Sequence, residues 1–224
     1  MKQFLPKNFV VRGGSIMNTL VLNLREPALY RKHIEAAAEA LRRGELVAFP
    51  TETVYGLGVN RDNPMAVERV FEVKMRPEEK KLTLMIADRE ELKKYVGHIS
   101  SAAQKLVDAF WPGPLAIVFP VSNGLDISMR FPDDAAARDL IRTAKVPVVT
   151  TSANLSGYPP ATDAQQVFLD LGGKIPIILD GGSTRFRSPS TIVKVVDAHV
   201  EIIRHGIIAE TSIRSCLANT MAKV

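Results

Sequence analysis

The chain has 224 residues, 46% hydrophobic and 24% charged, with a formal net charge of +5. That is an ordinary balance for a globular protein with one good core, and the basic excess suits nucleotide, pyrophosphate or RNA ligands without singling one out. A single cysteine, Cys216, excludes an internal disulfide and a cysteine-based zinc cluster, the four histidines show no metal-ligand spacing, and no apolar run approaches membrane-spanning length.

Residues 1–17 carry Lys2, Lys7 and Arg12 but no apolar segment or cleavage pattern. They read as a loose N-terminal extension, not a signal peptide, with Met17 as an alternative start and the cytoplasm as the compartment. Residues 18–224 read as one domain. Thr19–Leu24 is a first strand. From Pro27 to Arg43, Tyr30, Ile34, Ala37, Ala38 and Leu41 recur at helical spacing, and Gly44 ends that helix. Leu46–Ala48 is a short buried strand. Asn63 followed by Pro64 opens a helix that runs through Val67, Val70 and Phe71 to Lys74, where Pro77 stops it.

Leu82–Ile86 reads as a strand, and 88–95 and 100–110 as helices. Trp111-Pro112-Gly113-Pro114 is a rigid turn into a strand over 115–121, followed by a strand over 127–131 and a helix over 134–143. Val146–Thr150 is an apolar strand ending in Thr151-Ser152-Ala153-Asn154-Leu155-Ser156-Gly157. Thr162 with Gln165 matches a capping box for a helix closed by Gly172. Strands over 175–179, 191–196 and 200–204 and a helical tail from Glu210 complete the chain. Strands and helices alternate, and the last strands fall close together. The fold class is therefore α/β, a twisted open mixed sheet flanked by helices.

The stretch Phe49-Pro50-Thr51-Glu52-Thr53-Val54-Tyr55-Gly56-Leu57-Gly58 places hydroxyls, a carboxylate and two glycines after a buried strand. It reads either as a plain hairpin or strand-to-helix turn, or as a site whose glycines let the backbone turn tightly against a ligand. Other polar clusters fall at strand or helix ends: Lys74, Arg76, Lys80 and Lys81; Arg130; Ser152 and Asn154; Ser190 with Arg204. Ligands gather at strand ends in open α/β sheets. Each cluster also has a plain structural reading. Lys74 lies on its helix's apolar stripe, where a lysine serves the helix dipole, snorkels past the core or points into a cleft. Ser152 and Asn154 suit a cap or turn. No phosphate-binding glycine loop and no Ser-His-Asp or Cys-His pair is present. A basic, hydroxyl-rich cleft is as far as composition and spacing lead.

The motifs Pro50–Gly58, Lys74-Met75-Arg76-Pro77, Trp111–Pro114 and Ser152–Gly157, in this order, resemble the YrdC/TsaC family of threonylcarbamoyl-AMP synthases, over roughly residues 20–207. The resemblance implies a YrdC-like catalytic domain over 18–224, of the short form, with a basic concave face. It implies joining of L-threonine, bicarbonate or CO2, and ATP into threonylcarbamoyl-adenylate and pyrophosphate. Other proteins then transfer the group to adenosine 37 of tRNAs reading ANN codons.

By resemblance, Lys74, Arg76 and Arg130 are catalytic. Thr51, Arg130, Thr150 and Ser190 bind L-threonine, and Arg76, Lys80, Ser152, Asn154 and Arg204 bind ATP, with Mg2+ accompanying the triphosphate. The implied partners are the t6A transferase proteins and tRNA, with no membrane. Many relatives carry proline, histidine, glutamate and proline where Lys81, Met85, Pro189 and His205 stand. Leu82–Met85 is similar to YciO-like relatives. The alternatives are such a relative without synthase activity, or a non-catalytic RNA-binding or ribosome-maturation module.

Overall fold

The structure, a computed structural model, describes residues 18–77, 81–121 and 126–218. The expected extension over 1–17 and Lys80 lie outside the described residues. The chain opens with β1 (Leu20–Asn23) and α1 (Pro27–Arg42), whose proline occupies the first turn and which Gly44 ends at φ +80°, the left-handed conformation that favours glycine. Next come β2 (Val47–Phe49) and β3 (Gly56–Asn60). α2 (Pro64–Lys74) starts as expected, with the Asn63 side chain accepting from the Ala66 N–H. β4 (Thr83–Met85) follows. The helix expected over 88–95 is shorter: a 3-10 turn at Arg89–Glu91 and then α3 (Leu92–Tyr95).

After α4 (Ser101–Phe110) come β5 (Leu115–Pro120), β6 (Asp126–Arg130), α5 (Ala135–Ala144) and β7 (Val148–Ser152). α6 (Ala164–Leu171) is capped one residue later than expected. Asp163 accepts from the Gln166 N–H, and Gln166 reaches back to the Thr162 N–H. β8 (Ile177–Asp180), β9 (Thr191–Val196), β10 (His199–Arg204) and α7 (Glu210–Ala218) complete the order.

The strands form one mixed sheet in the order β1-β8-β2-β3-β7-β4-β6-β5-β9-β10. β1, β8 and β2 run parallel, β3 and β7 are antiparallel insertions, and β4 and β6 are parallel to each other. Alternating side chains divide the apolar mass between two clusters. Leu46, Ala48, Leu57 and Val59 join the larger one with residues of α2, α4 and α6. Val47 and Phe49 join the other with α1 and α5.

β3 is the element the sequence reading missed. Gly56 and Gly58 do not turn the chain; they lie within a strand paired to β2 on one side and β7 on the other. A Cβ on Gly58 would fall 2.7 Å from the Phe49 ring and 3.1 Å from Val148 Cγ1. Gly58 makes room for an aromatic ring, and the turn belongs to Pro50–Tyr55 between the paired residues Phe49 and Gly56.

Candidate active site

Several chain segments converge on one cleft with a cavity volume of about 120 Å³. The β2–β3 loop contributes Thr51 and Tyr55, the end of β6 Arg130, β7 Thr150 and Ser152, and the segment after α2 Arg76. Ser190 enters just before β9, and Arg204 at the end of β10. Gly206 permits that last approach: a Cβ there would fall 2.4 Å from the Ser190 carbonyl carbon and 2.5 Å from Pro189 O. Arg204 then donates to Ser190 O from Nη2 at 2.7 Å and to Ser190 Oγ at 3.1 Å. Its partners fix it without neutralising it.

The electrostatics follow from that assembly. Among the described residues, no carboxylate lines the cleft. Burial lowers the affinity of Arg204 for its proton, and the charges of Arg130 and Arg76 lower it further; burial acts on Arg76 in the same direction. Three guanidiniums and the Lys81 ammonium therefore share a cavity with several hydroxyls. Such a cavity receives anions. The counter-charge is behind the wall. Glu52 Oε1 lies 2.8 Å from Arg130 Nη2, in ion-pair contact but outside hydrogen-bond alignment, and both residues are buried.

Seven residues predicted from the sequence are brought together as lining: Thr51, Arg76, Arg130, Thr150, Ser152, Ser190 and Arg204. Two are not. Lys74 is 1% exposed and does not line the cavity; its Nζ donates to Ser152 O, at the end of β7, at 2.5 Å and to Asn154 O just beyond it. Burial, and secondarily the charge of Arg76, lowers its pKa to about 7. Asn154 is also buried, and its amide donates to Leu155 O at 2.8 Å and Tyr158 O at 2.7 Å. Lys74 and Asn154 brace the loop from behind.

Thr83 and Met85 line the cleft and were missed. They stand two apart in β4, so strand alternation puts both on one face; that was the available signal. Tyr55 also lines it, with its hydroxyl donating to Gly182 O at 2.8 Å. Among the described residues, no group of three or more His, Cys, Asp or Glu is placed to hold a metal ion, and no helix is long and apolar enough to cross a membrane.

Comparison with known proteins agrees with this geometry. The Sua5/YciO/YrdC family model, described as telomere recombination, matches residues 39–206. A threonylcarbamoyl-AMP synthase of Pyrococcus abyssi is 40% identical over 197 residues, 84% of this chain and 58% of that protein. One of Bacillus subtilis is 40% identical over 194 residues, 82% of this chain and 56% of that protein. The chain thus spans little more than half the length of these two curated relatives. The crystal structure of P. abyssi Sua5 complexed with L-threonine superposes with a TM-score of 0.82 at 36% identity, covering 89% of this chain and 61% of that one. The expected YrdC-like α/β fold is met, and with three quarters of its length matched the chain belongs to the Sua5/YciO/YrdC family.

Proposed function

We propose that the protein is a threonylcarbamoyl-AMP synthase, joining L-threonine, bicarbonate or CO2, and ATP into threonylcarbamoyl-adenylate and pyrophosphate. The observation that carries this reading is the cleft itself. Arg76, Arg130, Arg204 and Lys81 converge with hydroxyl groups, and among the described residues no carboxylate lines it. The printed names of the P. abyssi and B. subtilis relatives support the same reading.

The chemistry requires little covalent participation from the protein. The neutral amine of threonine adds to the carbon of CO2, releasing a proton and forming a carbamate. A carbamate oxygen then attacks the α-phosphorus of ATP, and the bond to the pyrophosphate group breaks. Two anions must be held in line while their charges are offset, which is work for fixed cations and donors. Arg130, Thr51, Thr150 and Ser190 form the L-threonine side. Arg76, Ser152, Asn154 and Arg204 form the ATP side, with Asn154 acting through the loop it braces; Lys80 joins the ATP-binding set by the family resemblance alone. Lys74 serves as the clamp of that loop. Mg2+ would accompany ATP as part of the metal–nucleotide substrate; among the described residues no group of three or more His, Cys, Asp or Glu is placed to hold it separately. The product passes to t6A transferase proteins acting on tRNA in the cytoplasm.

The test is pyrophosphate release by the purified chain, with mass detection of threonylcarbamoyl-AMP. Release that requires threonine and bicarbonate together is the expected result. ATP turnover indifferent to both refutes the reading.

A further inference from the structure

Glu52 and Thr53 belong to the β2–β3 loop, yet neither lines the cleft; they are 2% and 0% exposed. Both instead touch Arg130. Nη2 of Arg130 donates to Thr53 Oγ1 at 2.9 Å and lies 2.8 Å from Glu52 Oε1, while Nε donates to Gly113 O at 3.2 Å. Nη1 makes no hydrogen bond among the described residues and is the part of the fork left for a ligand. We propose that Glu52 and Thr53 are the positioning residues of Arg130, holding its guanidinium in one orientation so that Nη1 meets the carboxylate of the amino-acid substrate. This rests on Arg130 standing on the threonine side.

The direction of the hydrogen bonds supports the assignment. Thr51 Oγ1 donates its proton to Val54 O at 2.7 Å, so in the 2.9 Å contact between the two threonine hydroxyls it is Thr53 that donates. Thr53 Oγ1 therefore has its proton committed and a lone pair turned to Arg130. The chain runs one way: Arg130 to Thr53 to Thr51 to the Val54 carbonyl. Thr51 Oγ1 also accepts from the Thr53 N–H at 3.1 Å, so its hydroxyl is saturated inside the loop. Thr51 thus borders the ligand space without a free hydroxyl to offer.

Glu52 supplies the charge. Its two oxygens are sealed from solvent and have no hydrogen-bond donor, and among the described residues Arg130 is its only ionic contact. A carboxylate buried in this way is tolerable only beside a matching cation. Arg130 in turn faces Arg76 and Arg204, whose repulsion would otherwise scatter a long flexible side chain. The Glu52 carbonyl accepts from the Phe186 N–H at 2.8 Å, which fixes the acid to the segment after β8.

The experiment measures kcat and the separate KM values for L-threonine and ATP in Glu52→Gln, Thr53→Val and Thr53→Ser. It also records the guanidinium nitrogen NMR signals of Arg130, assigned by their loss in Arg130→Lys. Glu52→Gln and Thr53→Val should raise the threonine KM about tenfold or more and leave the ATP KM within about twofold. Thr53→Ser should restore the wild-type value, and Glu52→Gln should add little in an Arg130→Lys background. Equal rises in both KM values, or an unchanged threonine KM in folded variants, overturn the proposal. A wild-type chain without threonine-dependent pyrophosphate release refutes the function reading instead. The NMR arm then decides alone: an Arg130 signal ordered in the wild type and averaged in Glu52→Gln supports positioning, and identical signals overturn it.

Discussion

Replacing Lys74 with methionine removes an amine that sits where an ordinary helix surface lysine would not. The wild-type side chain keeps its hydrogen bonds whether charged or neutral, because a neutral amine still has two N–H donors for its two acceptors, Ser152 O and Asn154 O. Burial lowers its pKa from 10.5 to about 7, so between those values the unfolded chain binds a proton that the folded chain refuses. Stability from this group therefore rises with pH across that window. At about 1.4 kcal/mol per pKa unit, the proton mismatch costs the fold roughly 4 kcal/mol at pH 7 and roughly 2 kcal/mol at pH 9.

Methionine lacks that mismatch but leaves two buried carbonyls without their donor, at about 1–3 kcal/mol each. The two effects nearly cancel at neutral pH. Denaturant titrations at pH 7 and pH 9 should find Lys74→Met close to the wild type at the lower pH. At the higher pH it should be less stable by about a further 2 kcal/mol. Because every other titrating group is common to both proteins, the difference between them isolates Lys74. A wild-type-minus-variant difference that does not change with pH refutes the argument.

Gly58→Ala drives a Cβ into the Phe49 ring and should cost about 1–3 kcal/mol in denaturant melts, with Phe49→Leu in the same chain recovering part of the loss. Gly206→Ala meets backbone atoms of Pro189, Ser190 and Thr191, so it should displace Ser190 and Arg204 and lower kcat/KM for pyrophosphate release more than it lowers Tm. Arg76→Ala should abolish threonylcarbamoyl-AMP formation, read by mass detection, while circular dichroism shows the fold intact; Arg130→Ala should abolish it too but also lower stability in denaturant melts, because it leaves Glu52 buried without its cation. Asp163→Ala removes the cap of α6 and should lower stability by about 1 kcal/mol with little effect on turnover, since that residue does not itself line the cleft.

What the amino-acid sequence determined by itself was mostly local. Asn63 and Pro64 start α2 wherever the helix goes, Gly44 ends α1, and the alternation of strands and helices is enough for a mixed α/β sheet. The positions of six cleft residues, Thr51, Arg76, Arg130, Ser152, Ser190 and Arg204, at strand or helix ends were also legible, because ligand-facing groups collect there; Thr150 came only from the family resemblance. The tertiary structure alone decided what lies at longer range. Gly56 and Gly58 had the look of a turn, but the Phe49 ring and Val148 across the sheet made them a strand. Lys74 and Asn154 had the residue types of a site, yet the backbone carbonyls of Ser152, Asn154, Leu155 and Tyr158 took up the Lys74 amine and the N–H groups of the Asn154 amide. Glu52 is seventy-eight positions before Arg130, and no spacing in the chain announces that their charges meet. Caps and periodicity act over a few residues and are written in them. The direction of a buried side chain is set by partners that only the folded sheet brings within reach.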